Sequence, residues 1–455
     1  MKIYCPIKEL VLGLCLACFV SPGLKAQSTT TDTTKTTPAN AAKQKEVDAL
    51  KGETQTDQSP TPAPAAPAPA PAPAAAPAAP APLPSPSITG PLAGIPPLVF
   101  DAGPIGKLSV NGIVSGFGMV QGSHVPGDSE GVDALSNGQV WIQKTDGWLQ
   151  FYVQAGAYNV QALGSSFVQT DNQLLNTYGP VPTAYLKLVP TKTTSILIGE
   201  LPTLIGAEYT FSFENMNVER GLLWNQETAI SRGVQLNQAV GKYLALSFSL
   251  NDGFYSNRYT WLSGAATFTK GAHALEFVAG GNLKEKNYFT PATPIQNDGS
   301  IYNVIYTYTK GAYVIQPYFQ YTSVPTNTAV GITQGASTKG VAVLASRTFK
   351  HGFSLAGRWE YITSGSGTTY DPSLNEGEGG DVPLNLLFGP GSSATTVTVT
   401  PTFQYGGFFV RGEFSWVHAI NSTSGDTFGP LGVNSDQPRG LVEIGFLFGD
   451  NIVKK

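Results

Sequence analysis

Apolar and polar residues alternate with a period of two between Lys107 and Phe448, in segments of about ten residues separated by turn residues. This period indicates β-strands with two unlike faces, because successive side chains of a strand point to opposite sides. We predict sixteen strands, at 107–121, 138–145, 149–157, 183–190, 193–201, 231–240, 243–251, 258–269, 272–283, 299–309, 312–322, 338–349, 352–363, 394–406, 408–419 and 438–448.

The connections between these segments alternate in length. Short ones such as Gly241-Lys242 and Gly406-Gly407 alternate with long ones, which run over 122–137, 158–182, 202–230, 252–257, 284–298, 323–337, 364–393 and 420–437. An even number of strands with short turns at one rim and long loops at the other is typical of bacterial outer-membrane barrels. The pattern therefore predicts an all-β fold, a transmembrane antiparallel barrel with short periplasmic turns, long extracellular loops and both termini in the periplasm.

The two faces of single predicted strands differ in chemistry. In 352–363, Trp359 and Tyr361 share one face while Arg358 and Glu360 share the other. A membrane barrel places its apolar face outward and its polar face inward. A β-sandwich also alternates, with its polar face outside, so a soluble secreted β-protein of lectin type remains an alternative.

The first 26 residues have the order of a secretory signal peptide. Lys2 and Lys8 accompany an apolar run, Leu10–Val20, and we expect cleavage after Ala26. The run is shorter than the roughly 20 apolar residues of a membrane-spanning helix. All three cysteines lie in this leader, so the cleaved chain would contain no thiol. The alternative is that Cys18 is a lipidated cysteine.

Charge and composition point to an unusual surface. The whole chain carries a formal charge of −4, and cleavage of the leader would remove three lysines and one glutamate and leave −6. A negative chain disfavours nucleic acid as a partner. Charged residues make up only 13% of the sequence, about half the share in a soluble domain. We therefore expect lipid, rather than water alone, to contact the surface.

The chain divides into further segments after the leader. Residues 27–58 are polar with one short predicted helix at 41–51, and 59–90 form a Pro/Ala-rich linker of polyproline II character that we expect to be disordered. The linker could be a spacer towards peptidoglycan or a passive tether. Residues 91–448 form the barrel and 449–455 a tail, with Phe448 as the expected signal for the barrel assembly machinery.

No motif points to catalysis. The histidines are scattered, and the nearest approach to a catalytic group is His124 close to Asp128 and Glu130 in a loop. We expect no enzyme activity, no cofactor and no metal site. The acidic loop 371–381 offers oxygen ligands for Ca²⁺ but lacks the ordered spacing of a calcium loop, and a solvated loop is the alternative we favour.

The segment 199–226 has the most individual character. Its glycines, acids and arginine before an apolar pair resemble the signature region of the β-barrel porin type 2 family, and more distantly that of phosphate-selective porins. The residues that carry this resemblance are Gly199, Thr203, Gly206, Glu208, Asn215 or Asn217, and Arg220. Membership implies a channel of unassigned substrate in which this connection folds inward and narrows the lumen. The lysine and arginine ladders of an anion-selective pore are missing.

Strand parity and this connection together give nine candidates for pore-lining or constriction residues. A barrel of about sixteen strands leaves a water-filled interior, so we expect passive diffusion of small hydrophilic solutes or ions. Charges of both signs on single strands predict a general or mildly cation-preferring pore, although such charges can also simply pair with one another. The candidates are Glu208, Arg220, Lys187, Glu276, Arg358, Glu360, Arg411, Glu413 and Glu443.

An alternative function is a structural or adhesive barrel with a plugged lumen. Its extracellular loops 158–182 and 364–393 would then bind a partner. In either case we expect contact with outer-membrane lipid and with the barrel assembly machinery. Whether three barrels associate into a homotrimer remains open.

Overall fold

The computed structural model describes residues 85–88, 90–283, 295–327, 335–366 and 387–452. The predicted signal peptide, the predicted helix at 41–51 and the acidic loop 371–381 lie outside the described residues. So does most of the Pro/Ala-rich linker. Among the described helices, none has the length and apolarity needed to cross a bilayer.

The described residues form seventeen strands, one short α-helix and five 3₁₀ turns. The strands are β1 Leu98–Asp101, β2 Lys107–Gln121, β3 Gly131–Lys144, β4 Leu149–Tyr158, β5 Thr183–Thr191, β6 Thr194–Pro202, β7 Ile230–Val240, β8 Leu244–Asn251, β9 Trp261–Lys270, β10 His273–Asn282, β11 Ser300–Lys310, β12 Tyr313–Val324, β13 Ala336–Thr348, β14 Phe353–Ser366, β15 Ser393–Tyr405, β16 Phe408–Ile420 and β17 Asp436–Phe448. The helix α1 is Thr170–Asn176, and the 3₁₀ turns are Gly103–Ile105, Ser212–Glu214, Leu223–Gln226, Ile295–Asp298 and Asp450–Ile452.

Strands β2 to β17 form a closed barrel. Each strand pairs antiparallel with its neighbour along the chain, and β17 pairs with β2 in a register that joins Phe448 to Gly112 and Arg439 to Gln121. The predicted fold, an antiparallel barrel of sixteen strands, is confirmed. The short strand β1 pairs only with the start of β2, beyond the end of β17.

The two rims of the barrel differ as the connections predicted. Seven tight turns, from 145–148 to 406–407, form what we call the short-turn rim, and the eight longer connections leave their strands at the opposite rim, which we call the long-loop rim. Gly271, Gly311 and Gly406 have φ of 61°, 58° and 58°. Glycine suits these turns because side chains disfavour that left-handed conformation.

The outer face of the barrel is largely apolar and the inner face largely polar. Trp359 and Phe414 point outward and are exposed, whereas Arg358 and Glu413 on the same two strands point inward and are buried. An outward apolar surface is stable against lipid, and an inward polar surface is stable against water or other polar groups.

Three local features differ from the sequence-based expectation. Strand β3 begins at Gly131 rather than at 138, pairing with β2 across a bulge between Ser115 and Gly116. Asp133 and the small residues between Gly131 and Gly138 obscure the alternation of apolar and polar positions. Strand β1 has four residues and α1 has seven, which is too short for a periodic pattern to stand out.

Candidate functional site: an inward loop held by a charged wall

The connection between β6 and β7, residues 203–229, lies inside the barrel, and we call it the inward loop. On β3, Asn137 Nδ2 donates a hydrogen bond to Ser212 Oγ over 2.8 Å. On β12, Gln320 Nε2 donates to the Leu223 carbonyl oxygen over 2.8 Å. These strands lie seven positions apart along the sixteen-strand wall, so the loop crosses the lumen.

Two wall carboxylates each accept consecutive backbone N–H groups of the inward loop. Glu413 on β16 accepts from the amides of Val218 (2.5 Å) and Glu219 (2.9 Å). Glu360 on β14 accepts from the amides of Leu222 (2.9 Å) and Leu223 (3.1 Å). An unpartnered buried amide costs about 1–3 kcal/mol. These glutamates therefore give an irregular backbone the partners that secondary structure would otherwise supply.

Gly221 lies between these two contacts and brings the loop close to the wall. A Cβ on this glycine would lie 2.2 Å from Glu360 Oε1. A side chain at 221 would therefore displace either the carboxylate or the loop backbone.

Two wall arginines bind the carbonyl side of the same loop. Arg411 on β16 donates to the carbonyl oxygens of Ser212 (2.8 Å), Asn215 (3.0 Å) and Met216 (3.0 Å). Arg358 on β14 donates to Glu208 Oε1 over 2.5 Å. It also donates to the Glu219 carbonyl oxygen over 2.7 Å. The planar guanidinium suits several acceptors at once.

Arg439 on β17 forms the contact that the sequence analysis missed. Its Nη1 lies 2.8 Å from Glu219 Oε1, and both side chains are fully buried. It also donates to the carbonyl oxygens of Ala162 (3.0 Å) and Ser165 (2.9 Å). Arg439 lies within the predicted strand 438–448 and has the same parity as Glu443 four residues later, so parity alone indicated its inward position.

Glu443 occupies a cage of hydroxyl groups. Its Oε1 accepts from the hydroxyls of Ser136 (2.7 Å) and Ser212 (2.8 Å), and more distantly from Ser115 (3.2 Å). Its Oε2 lies 3.4 Å from Arg411 Nη1. A buried carboxylate needs such partners because burial without them is costly.

The two charged candidates within the inward loop are both buried. Burial is the largest influence on the pKa of Glu208 and raises it, with Arg358 opposing and Glu360 adding to the effect. Burial lowers the pKa of Arg220 to about 10, against the pull of Glu208 and other acids. Arg220 donates to the Val218 carbonyl oxygen over 2.9 Å.

A second connection, between β4 and β5, also reaches the inward loop. The amide of Arg220 donates to the Gln161 carbonyl oxygen (3.0 Å), and the amide of Leu163 donates to the Arg220 carbonyl oxygen (2.9 Å). This two-way pairing is a short parallel bridge between the loops. Part of 158–182 is thus committed to the barrel interior, rather than free at the rim.

Apolar residues fill part of the lumen beside the charged contacts. Leu222, Leu223 and Ile205 of the inward loop belong to one buried cluster with wall residues such as Trp261 and Ile301. A second cluster includes Phe211 and Phe213 of the loop, and Phe213 stacks on Trp141 of β3 with ring centroids 5.6 Å apart.

The wall from β5 to β13 carries fewer charges. Lys187 on β5 and Glu276 on β10 face inward, where Lys187 is paired with Leu197 of β6 and Glu276 with Thr267 of β9. Glu276 is buried, whereas Lys187 is half-buried. Further inward-facing polar residues nearer the short-turn rim are also half-buried, namely Ser247, Gln316 and Ser346.

The nine candidates thus fall into two groups. Seven form one network of wall and inward loop, which the structure extends by Arg439 and Glu219. Lys187 and Glu276 lie on other strands. No group of three His, Cys, Asp or Glu side chains that could hold a metal occurs in the described part of the chain.

Comparison with known proteins places these features in context. The family described as "Putative beta-barrel porin-2, OmpL-like" matches residues 107–448. No curated protein matches the sequence. The anion-selective porin of Comamonas acidovorans is similar in structure with a TM-score of 0.50 at 10% identity, covering 75% of this chain and 99% of that one. The outer membrane channel DcaP of Acinetobacter baumannii gives a TM-score of 0.50 at 9% identity, covering 75% and 97%. At these identities the likeness concerns the fold.

Proposed function

Since the chain belongs to the OmpL-like β-barrel porin-2 family and is an outer-membrane porin, we propose that it lets small hydrophilic solutes or ions diffuse passively through its lumen. The observation that carries this proposal is a closed sixteen-strand barrel whose inward positions are mostly polar. A barrel of this size encloses water unless its loops fill it. The half-buried Lys187, Ser247, Gln316 and Ser346 support a wet region near the short-turn rim.

We further propose that the pore is weakly cation-preferring. The network contains five glutamates and four arginines, and fixed charges that line or underlie a pore set its ion preference. Its members are Glu208, Glu219, Glu360, Glu413, Glu443, Arg220, Arg358, Arg411 and Arg439. A small excess of negative charge supports a mild preference for cations rather than strong cation selectivity.

The orientation that fits this function places the short-turn rim and both termini in the periplasm. Outer-membrane barrels have short periplasmic turns and long extracellular loops. The barrel assembly machinery is the expected partner, with Phe448 at the end of β17 as the assembly signal.

Swelling of proteoliposomes in isotonic solutions of neutral sugars of graded size tests the proposal. We expect small sugars to enter and larger ones to be excluded. Vesicles without protein are the control. A barrel that is inserted and folded but admits no solute would contradict passive diffusion.

The apolar packing of Leu222, Leu223 and Phe213 inside the barrel favours a second candidate function. In that case the lumen is plugged and the extracellular loops bind a partner. Absence of both swelling and ion current in folded, inserted barrels would support this alternative.

A further inference from the structure

The described residues immediately before β1 enter the barrel. We call residues 85–97 the strap; residue 89 is not among those described. The Ser85 carbonyl oxygen accepts from Gln143 Nε2 over 2.7 Å, and Gln143 is an inward-facing residue two positions before a short turn. The strap therefore begins at the inner wall of β3, at the short-turn rim.

The strap then crosses to a distant part of the wall. The amide of Ala93 donates to Gln404 Oε1 over 2.7 Å, and Gln404 Nε2 donates back to the Ala93 carbonyl oxygen over 2.9 Å. Gln404 lies on β15, two residues before the turn 406–407. Because β3 and β15 are four strands apart, the strap spans a sector of the mouth.

The C-terminal end of the strap contacts β2 and the residues that follow β17. Asn111 Nδ2 of β2 donates to the Ile95 carbonyl oxygen over 2.9 Å. The amide of Asp450 donates to the Pro96 carbonyl oxygen over 2.8 Å. The strap is thus tied at several points around the short-turn rim, and β1 continues from it.

The middle of the strap lies against the inward loop. The amide of Ser87 donates to Glu214 Oε1 over 3.1 Å. A Cβ on Gly90 would lie 2.2 Å from the Asn215 carbonyl oxygen, so the two backbones are in direct contact. This is the same stretch of loop that Arg411 holds through the carbonyl oxygens of Ser212, Asn215 and Met216.

An apolar anchor holds the strap in place. Leu92 is 3% exposed and belongs to the buried cluster that includes Phe213, Trp141 and Phe409. Removing a leucine side chain from water favours the docked position of the strap. A peptide with paired backbone groups and a buried leucine is a docked element, and it occupies space that the lumen would otherwise offer.

We infer that the strap is a built-in restriction of the pore. It closes part of the opening at the short-turn rim and supports the inward loop from that side. This inference rests on the proposed function, because it requires a conducting lumen. It adds that the residues joining the N-terminal region to the barrel set how much current the lumen carries.

The test compares full-length variants, purified from membranes, in planar bilayers. Leu92→Asp places a charge in the apolar cluster and should expel the strap, raising single-channel conductance about twofold or more, because conductance follows the width of the narrowest passage. Ile105→Asp adds the same charge at a residue that is 55% exposed in the turn after β1. It should leave conductance unchanged.

A second variant avoids the added charge. Ala93→Pro removes the amide that donates to Gln404, at an exposed residue, and should raise conductance by a smaller factor. If either variant folds and conducts as the unchanged chain does, the strap is not a restriction and the inference is overturned. If the unchanged chain does not conduct but Leu92→Asp does, the strap closes the lumen entirely and the inference holds. If neither conducts, the proposed function itself fails.

Discussion

Arg439 and Glu219 form the clearest single ion pair in the lumen. Both side chains are fully buried, so removing the arginine would leave the Glu219 carboxylate buried without its charge partner. We predict that Arg439→Met lowers the free energy of unfolding by about 3–5 kcal/mol, the usual cost of breaking a buried pair from one side. Urea titration of the folded barrel in lipid vesicles measures this.

The matched control is Lys144→Met. Lys144 pairs with Asp146 in the turn 145–148, where the aspartate is largely exposed. Solvent screens such a pair, so the loss should be small. Equal losses in the two variants would contradict a structural role for the buried network.

We expect Glu208 to make the charge of the lumen depend on pH. Burial raises its pKa, and Arg358, Glu360 and the Gly221 amide face it. It therefore becomes neutral at a higher pH than an exposed glutamate does. Above its raised pKa the carboxylate adds one negative charge to the network; below it, that charge is lost.

We predict that the cation preference of the wild-type pore decreases as pH falls through this raised pKa. Reversal potentials in a salt gradient, measured at several pH values, report the change. Glu208→Gln keeps an acceptor for the Gly221 amide and should show the weaker cation preference at every pH. Identical pH profiles of the reversal potential in the wild type and the variant would contradict this role of Glu208.

At the scale of elements, the inward loop is held by Glu360 and Glu413 through pairs of backbone amides. We predict that the double change Glu360→Ala and Glu413→Ala frees the loop. Single-channel current should become noisier, with larger open steps. Glu360→Gln and Glu413→Gln retain one acceptor oxygen each and should have intermediate effects. Quiet, unchanged steps in the alanine variant would argue that other contacts hold the loop.

The regular elements were predictable because each depends on a local pattern. Strands β14 and β16 repeat an apolar outer face and a polar inner face over a full strand length, and the predicted segments 352–363 and 408–419 match them closely. The family resemblance drawn from 199–226 was confirmed by the match over 107–448. Both signals are local in sequence.

The contacts between elements were not predictable in the same way. Parity places Arg411 and Glu413 inside the barrel, yet nothing in their strand shows that they bind residues 212–219. Such contacts join residues nearly two hundred positions apart. The strap was missed because a Pro-rich segment without periodicity gives no sign that its backbone finds partners inside a barrel.

At the scale of the whole molecule, the apolar outer face should be the surface that contacts lipid. Val399 lies midway along β15 and is 42% exposed on that face, whereas Tyr405 ends the strand at the short-turn rim and is 79% exposed. We predict that Val399→Arg costs about 2–4 kcal/mol of stability in a bilayer, and Tyr405→Arg about 0–1 kcal/mol.

Unfolding titrations of the two arginine variants in phospholipid vesicles measure this difference. The depth of the residue in the bilayer is the physical reason for it, since a charge near the rim reaches water. Equal costs at the two positions would contradict a membrane-spanning role for β15.

The most direct test of the porin assignment is single-channel conductance of the full chain in a planar bilayer with a salt gradient across it. The proposed function predicts stable ohmic steps and a small reversal potential of cation-preferring sign. Insertion of folded barrels without current would contradict an open pore, and would move the function to the loops of a plugged barrel.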